Sequence, residues 1–408
     1  MNKSIITESL STPVRYKCDV CVAGGGVAGI AAAISAARAG RAVGRKTDVI
    51  LLEKSFMLGG LATAGLVTIY LPLCDGRGNQ VCYGIADELL RLSIKHGAEA
   101  MYPKAWLEGG SKEEREKSRF MVQFNAQLFA ICAEQLLLSE GVKILYDASA
   151  VEVSAENKRI THVVIEGKGG REAISVNRSV IDTTGDCDLC KLAGAKTEVF
   201  SEGNKLAAWY YAYGNKEYKL YMCGVHDTPD SEENTDLTYD RRFSGLDTAE
   251  LSEMTEISHA TLLNNFLARR ENIPDLLPVT IATTPEIRMT RRLVGKYEQD
   301  SSEEFCDYPD SVGIFPNWKK AGPIYALPLS ALYGDDINNL LVAGRCLSGS
   351  EAMWDITRVI PVCAVSGEAA GVAAALCSDL SQVNIKEVRA CLMDRGVLLN
   401  CKDALSEV

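Results

Sequence analysis

The chain has 408 residues, 47% hydrophobic and 24% charged, with a formal net charge of −11. That length and apolar content suit a globular protein with a large core, built as two domains or as one domain with a sizeable insertion. The negative charge, with no basic cluster interleaved with aromatics, argues against nucleic acid as a partner.

The opening stretch "MNKSIITESLSTPVRYKCDV" lacks the continuous apolar core of a secretory signal, so the cytoplasm is the expected compartment. The longest low-charge run, Pro361 to Leu380, is interrupted by Glu368 and made mostly of small residues; it reads as a packed helix, and no membrane partner is expected. Fourteen cysteines without a leader suggest reduced thiols. The two C-x-x-C spacings, Cys18/Cys21 and Cys187/Cys190, could in principle give four ligands to one metal. They flank opposite ends of the expected sheet, so small buried residues is the reading, and no metal is expected.

Asp19–Ala23 is short, apolar and strand-like. Gly24, Gly26 and Gly29 then spell G-x-G-x-x-G, and an alanine-rich helix, Val27 to Arg38, follows and is expected to end at Gly40. Gly24 allows the tight turn, Gly26 lets the backbone approach a pyrophosphate, and Gly29 with Ala32 and Ala33 lets the helix pack closely. The N–H groups at Val27 and Ala28 open the helix toward an anion. A second strand, Asp48–Lys54, carries Glu53 near its end, placed to accept hydrogen bonds from ribose hydroxyls and to repel a 2′-phosphate, with Lys54 beside it. The linker "RAVGRKT" before it is longer than a tight βαβ unit needs. NAD and FAD share this half-site. The second glycine turn, Gly59-Gly60 with Thr63 in "SFMLGGLATAG", suits the longer cofactor, FAD.

From Val20 to Gly65 the sequence resembles the N-terminal end of the large FAD-dependent oxidoreductase family related to glutathione reductase and fumarate reductase flavoproteins. Later stretches fit the same family. Lys143 to Ile181 reads as alternating strands, for which the resemblance implies a β-meander with backbone near Val151 against adenine. In "IDTTGDCDLCKLAGA" it places Thr184, Gly185 and Asp186 near the cofactor phosphates. Leu340–Ala343 reads as a strand ended by Gly344-Arg345, which the resemblance sets around the ribityl chain. A helix from Pro361 to Cys377, with a small face of Gly367, Ala370, Gly371, Ala373 and Ala374, would point its N-terminus at the flavin N1/O2 edge, just after Arg358. A helix N-terminus stabilises the negative charge of a reduced flavin. Within the family the chain is most similar to the "FAD-dependent oxidoreductase" subgroup, through "LGGLATAG", "YGIADELL", "VIDTTGD", "PEIRMTRRLVG" and "NLLVAGRCLSGSEAMWDITRVIPVC". The resemblance runs from about Tyr16 to about Leu380. It departs in one place: members often carry histidine after the Gly-Arg, where this chain has "SGSEAMWD".

The expected fold is therefore α/β: a Rossmann-like FAD-binding domain, parallel sheet plus β-meander, with an inserted cap or substrate domain. The FAD-binding domain would span 16–200 and 326–395, with a covering segment at about 66–118, and the cap 201–325. The run "VHDTPDSEENTDLTYDRR" reads as a solvated acidic loop. None of His96, His162, His226 and His259 falls in a recognisable site segment. Arginines, which hold carboxylates by bidentate bonds, are the catalytic candidates: Arg288, Arg291 and Arg358. The expected activity is oxidation or reduction of a small polar metabolite by hydride transfer at flavin N5. No second G-x-G-x-x-G appears, so the electron partner is left open among a diffusible cofactor, a protein or a quinone, as is homo-oligomerisation. Competing readings are a non-catalytic FAD-binding subunit, and transfer chemistry at a reactive cysteine as in thiazole synthases.

Overall fold

The computed structural model describes residues 6–223 and 241–405, so most of the acidic run lies outside the described residues. The first strand, β1 (Val14–Ala23), starts exposed and ends in four successive buried or near-buried positions, Val20 to Ala23. A strand covered on both faces has that continuous apolar end. The helix α1 (Val27–Ala42) leaves the glycine turn and runs past Gly40, where an end was expected. Gly40 is small for packing: a Cβ there would meet the Thr47 hydroxyl at 2.0 Å. The left-handed residue beyond the helix is Gly44, φ +70°.

The chain continues through β2 (Val49–Leu52), α2 (Ile85–Ser93), α3 (Ala126–Ser139), β3 (Lys143–Leu145), β4 (Ser149–Glu156), β5 (Arg159–Gly167) and β6 (Gly170–Asp182). After α4 (Asp188–Leu192) come β7 (Ala208–Gly214), β8 (Glu217–Cys223), α5 (Thr248–Arg270) and β9 (Leu277–Ile281). Then follow β10 (Leu340–Val342), α6 (Glu351–Thr357) and α7 (Ile360–Leu376).

Seven strands form the main sheet in the order β3-β2-β1-β6-β5-β4, with β10 also on β6. β1, β2, β3, β6 and β10 pair in parallel, while β4, β5 and β6 form the antiparallel meander. β6 serves both halves: residues 170–175 pair with β5, and Val180–Asp182 with β10. β3 belongs to the parallel half. The expected α/β architecture, a Rossmann-like sheet with a meander, is the one observed.

Helices α1 and α7 lie side by side in the same direction. A Cβ at Gly367 would come 2.3 Å from Ala28 O, and one at Gly371 would come 2.2 Å from Ala32 O. Glycine alone permits that approach. The expected covering segment 66–118 divides, because α2 joins this helical layer: its Leu89 and Leu90 are buried in the main core, and its first amide, Ile85 N–H, donates to the buried Glu368 of α7 at 3.0 Å.

The expected cap, 201–325, also divides. Its layer is the sheet β8-β7-β9. Tyr210, Ala212 and Tyr221 on one face pack with Leu262 of α5, while Trp209 and Tyr211 on the other pack with Leu66 and Ala126 of the main body. Residues 291–325 return to the body: Arg291–Leu293 pairs with Thr197–Val199, and the hairpin Ser311–Pro316/Ile324–Pro328 contributes Val312, Phe315 and Tyr325 to the main core. Among the described residues no single helix is long and apolar enough to cross a membrane.

Candidate functional site

The first glycine turn is tight at two positions and open at a third. A Cβ at Gly24 (φ +105°) would lie 2.4 Å from Thr183 O, and one at Gly29 would lie 1.8 Å from Gly24 O. A Cβ at Gly26 would meet nothing within 4 Å. Gly26 is the N-cap of α1, and no side chain caps that helix. Open space therefore lies before uncapped N–H groups at Val27 and Ala28, which is what a pyrophosphate requires. Glu53 is fixed beside it: Oε2 accepts from Gly25 N–H (3.0 Å), and Oε1 accepts from the Ser55 amide and hydroxyl (both 2.7 Å). Lys54, expected beside it, points to an exposed position.

The second glycine turn docks on the first. Gly59 N–H donates to Gly25 O at 2.8 Å, Gly26 and Gly59 form a β-bridge, and a Cβ at Gly60 would sit 3.3 Å from Gly26 Cα. Thr63, expected to meet the cofactor, is fully buried and donates its hydroxyl to Leu58 O. Its role is to close the turn.

The strand ends supply the other walls. The Thr183 hydroxyl donates to Ala23 O and Gly24 O, both 2.8 Å, and so locks β6 to the glycine turn. Thr184 donates to Asp182 Oδ1 (2.7 Å) and accepts from Asp188 N–H (3.0 Å). Gly185 (φ +86°) lies under Arg345, whose guanidinium donates to Gly185 O, to Asp186 Oδ1 and to Ile287 O at 3.2, 3.2 and 2.8 Å. Gly344 (φ +67°) donates to the Ser366 hydroxyl of α7 at 2.9 Å, and its missing Cβ would touch Ala28 of α1. Pro361 stands in the first turn of α7, whose N-terminus also has no side-chain cap. Val151 is the extra residue of a β-bulge in β4, between the pairs Ala150–Ile165 and Glu152–Val164. Ala148 N–H donates to Glu53 O at 3.1 Å, which brings the start of β4 beside Glu53.

The three arginines part company. Arg288 is buried, its Nη2 is 3.7 Å from Glu286, and its guanidinium lies 5.9 Å from the Trp209 ring. Arg291 instead braces a turn: it donates to Asp186 O and to Asp188, both at 2.9 Å. Burial and Asp186 push the Asp188 carboxyl up to about 6, against the pull of Arg291. Arg358 is the C-cap of α6 and is bound to Asp355 by two bonds, 3.0 and 2.6 Å, while Lys319 pairs with the same carboxylate. Its charge is thus one part of a Lys319–Asp355–Arg358 cluster, not a lone cation. Sequence reading missed Asp355, Lys319 and Glu286. Lys319 lies in no motif; Glu286 lies in "PEIRMTRRLVG", where the arginines drew the reading, and Asp355 carries a weak signal, three positions before Arg358 in a helical run.

Asp182, Cys187 and Cys346 are the one group among the described residues with metal-ligand spacing, all three buried. Their atoms already serve each other and the backbone: Cys187 N–H donates to Cys346 Sγ (3.2 Å), and Cys190 N–H to Asp182 Oδ2 (3.0 Å). Burial pushes the Cys187 thiol well up. Cys18 and Cys21 lie within β1 and take no part.

Two docked glycine turns, two uncapped helix N-termini and an acidic residue at the end of β2 define a dinucleotide-binding flavoprotein. The chain belongs to the FAD dependent oxidoreductase family, which it matches over residues 19–208 and 200–392. It is an oxidoreductase, and FAD is its cofactor. Among solved structures it is similar to p-nitrophenol 4-monooxygenase PnpA from Pseudomonas putida DLL-E4, at 13% identity, covering 96% of this chain and 84% of that one with a TM-score of 0.48. It is also similar to a geranylgeranyl bacteriochlorophyll reductase-like protein from Thermoplasma acidophilum, at 14% identity, with coverage of 96% and 84% and a TM-score of 0.44. Comparison with curated proteins gives no match.

Proposed function

We propose that the protein oxidises or reduces a small polar metabolite by hydride transfer at flavin N5. The observation that carries this reading is Arg288, a buried cation beside Trp209, whose ring belongs to the cap face that packs against Leu66 just beyond the second glycine turn. A buried guanidinium with a planar fork is suited to a carboxylate or a polarised oxygen.

Gly24 to Gly29 and the α1 N-terminus would hold the pyrophosphate, Glu53 the ribose and the Val151 bulge the adenine. Gly59-Gly60, Gly185-Asp186, Gly344-Arg345 and the turn at Pro361 would line the rest of the cofactor. Bound FAD supplies a two-electron acceptor or donor. The chain's own part is to orient the substrate through Arg288, exclude water with the β7 face, and present the α7 N-terminus to developing negative charge. The fourteen free thiols favour a reducing compartment, the cytoplasm.

The test is an anaerobic screen of polar metabolites, carboxylates first, against the FAD-loaded protein, watching the flavin absorbance. Bleaching by one compound, with R288M raising the concentration needed, supports the reading. A flavin that no donor reduces and no acceptor reoxidises favours a non-catalytic subunit instead.

A further inference from the structure

One short segment crosses from the second glycine turn to Arg345. Thr283 N–H donates to Ala64 O at 2.7 Å, and Ile287 O accepts from Arg345 Nη1 at 2.8 Å. Glu286 lies inside that span. It is 1% exposed, and neither carboxylate oxygen has a hydrogen-bond partner of full geometry, the Trp209 backbone amide approaching it only loosely. Arg288 Nη2 stands 3.7 Å away. A carboxylate taken out of water without hydrogen bonds is unfavourable for folding, and such groups gather where chemistry uses them.

We propose that Glu286 exchanges the proton that accompanies electron transfer at the flavin. The inference rests on the flavin placement and hydride chemistry proposed above. In the oxidising direction a C–H bond and an O–H or N–H bond of the substrate break. The hydride carries both electrons to the bound FAD, and the remaining proton passes to the Glu286 carboxylate; the reducing direction returns it.

The surroundings suit that task. Burial pushes the Glu286 carboxyl up to about 8, opposed first by Arg288 and then by the Trp209 backbone amide. The charged and titratable groups around it come from several elements. Arg288 is on its own segment, and the Cys223 thiol stands at the end of β8, raised chiefly by burial and in part by Glu286 itself. Arg345, from the loop after β10, binds the carbonyl of the next residue. A proton carrier works best when its affinity lies near the working pH. Burial alone would make Glu286 a permanent acid; Arg288 keeps the carboxylate within reach.

The test needs no metabolite, so it is independent of the screen above. The midpoint potential of the FAD-loaded protein is measured by spectroelectrochemistry from pH 6.5 to 10, for wild type and E286Q. One pH unit is a tenfold change in proton activity, worth about 30 mV per proton for a two-electron couple. Above about pH 8 the wild type should fall more steeply than E286Q by that amount per pH unit, with E286D restoring the extra slope. Superimposable curves from two FAD-loaded proteins would overturn the proposal. Should E286Q fail to retain FAD, wild type decides alone. Photoreduction at pH 8.5 in weak buffer, followed with an indicator dye, should take up more than one proton per two electrons; one proton would overturn it.

Discussion

Arg345 and Gly185 are 160 positions apart in the chain, yet a Cβ on Gly185 would lie 2.3 Å from the Arg345 guanidinium. The same guanidinium reaches Asp186 and Ile287. It therefore ties the end of β6, the loop after β10 and the segment that enters from the cap. Replacing Arg345 with methionine should loosen all three together. The expected outcome is faster proteolysis of the cap layer and weaker FAD retention, both read against wild type; unchanged cleavage would show that the three contacts are dispensable.

Gly26 and Gly29 separate binding from folding. Gly26→Val has room for its side chain in the unliganded protein, so the fold should persist while FAD affinity drops at least about tenfold, ~1.4 kcal/mol. Gly29→Val would drive a Cβ to 1.8 Å from Gly24 O and should lower the melting temperature with or without FAD. Apoprotein titration with FAD and thermal melts distinguish the two, and equal FAD affinities for wild type and Gly26→Val would count against the pyrophosphate placement.

Glu53→Gln keeps an acceptor for Gly25 N–H or Ser55 but loses the charge. FAD binding should weaken by about 1–3 kcal/mol, the range for a hydrogen bond to a charged group. Calorimetry on the apoprotein measures this, and an unchanged Kd would remove Glu53 from the ribose site.

The Lys319–Asp355–Arg358 cluster carries a formal net +1 near the start of α7. Arg358→Met takes it to zero and should lower the flavin midpoint potential; Asp355→Asn takes it to +2 and should raise it. A loss of about 1.4 kcal/mol corresponds to about 30 mV for two electrons. Opposite shifts in the two variants, measured without substrate, support the cluster as the charge seen by the flavin. A potential that moves in neither places Arg358 elsewhere.

Glu368 sits buried between α7 and α2, and burial lifts its carboxyl from the ordinary 4.5 to about 7. Between those values the folded protein holds a proton that the unfolded chain has released. Stability contributed by the neutral acid is therefore complete below about pH 4.5 and is lost as pH rises through about 7, by up to about 3 kcal/mol. Glu368→Gln keeps the acceptor for Ile85 N–H without the titration. It should melt higher than wild type at pH 8 and close to it at pH 5.

Much of this was legible in the sequence because the constraints are local. The turn at Gly24–Gly29, the strand before it and the small face of α7 each follow from spacing and side-chain size. What was not legible depends on partners brought in from elsewhere. Gly40 reads as a helix end until Thr47 is seen against it. Arg358 reads as a free cation, because nothing in the sequence announces that Lys319 shares its aspartate. Thr63 reads as a ligand contact, though its hydroxyl closes its own turn. The cap was placed too long because Ser311–Pro328 forms a hairpin whose apolar face belongs to a core assembled from both ends of the chain.

The glycines that let α1 and α7 touch also set a length. Gly367 stands seven residues into α7, and the residue it touches, Ala28, stands one residue into α1; the next contact, Gly371 on Ala32, keeps the same step. At 1.5 Å per residue, α7 therefore begins about 9 Å before α1 along their shared direction. The two positive helix ends are the jaws of a fixed gauge, one set back from the other. An elongated molecule with anionic character at two separated points fits it, and a compact anion can satisfy only one jaw at a time. Sliding one helix by a single turn would need a different set of glycines, so the calibration is written into where the side chains are missing.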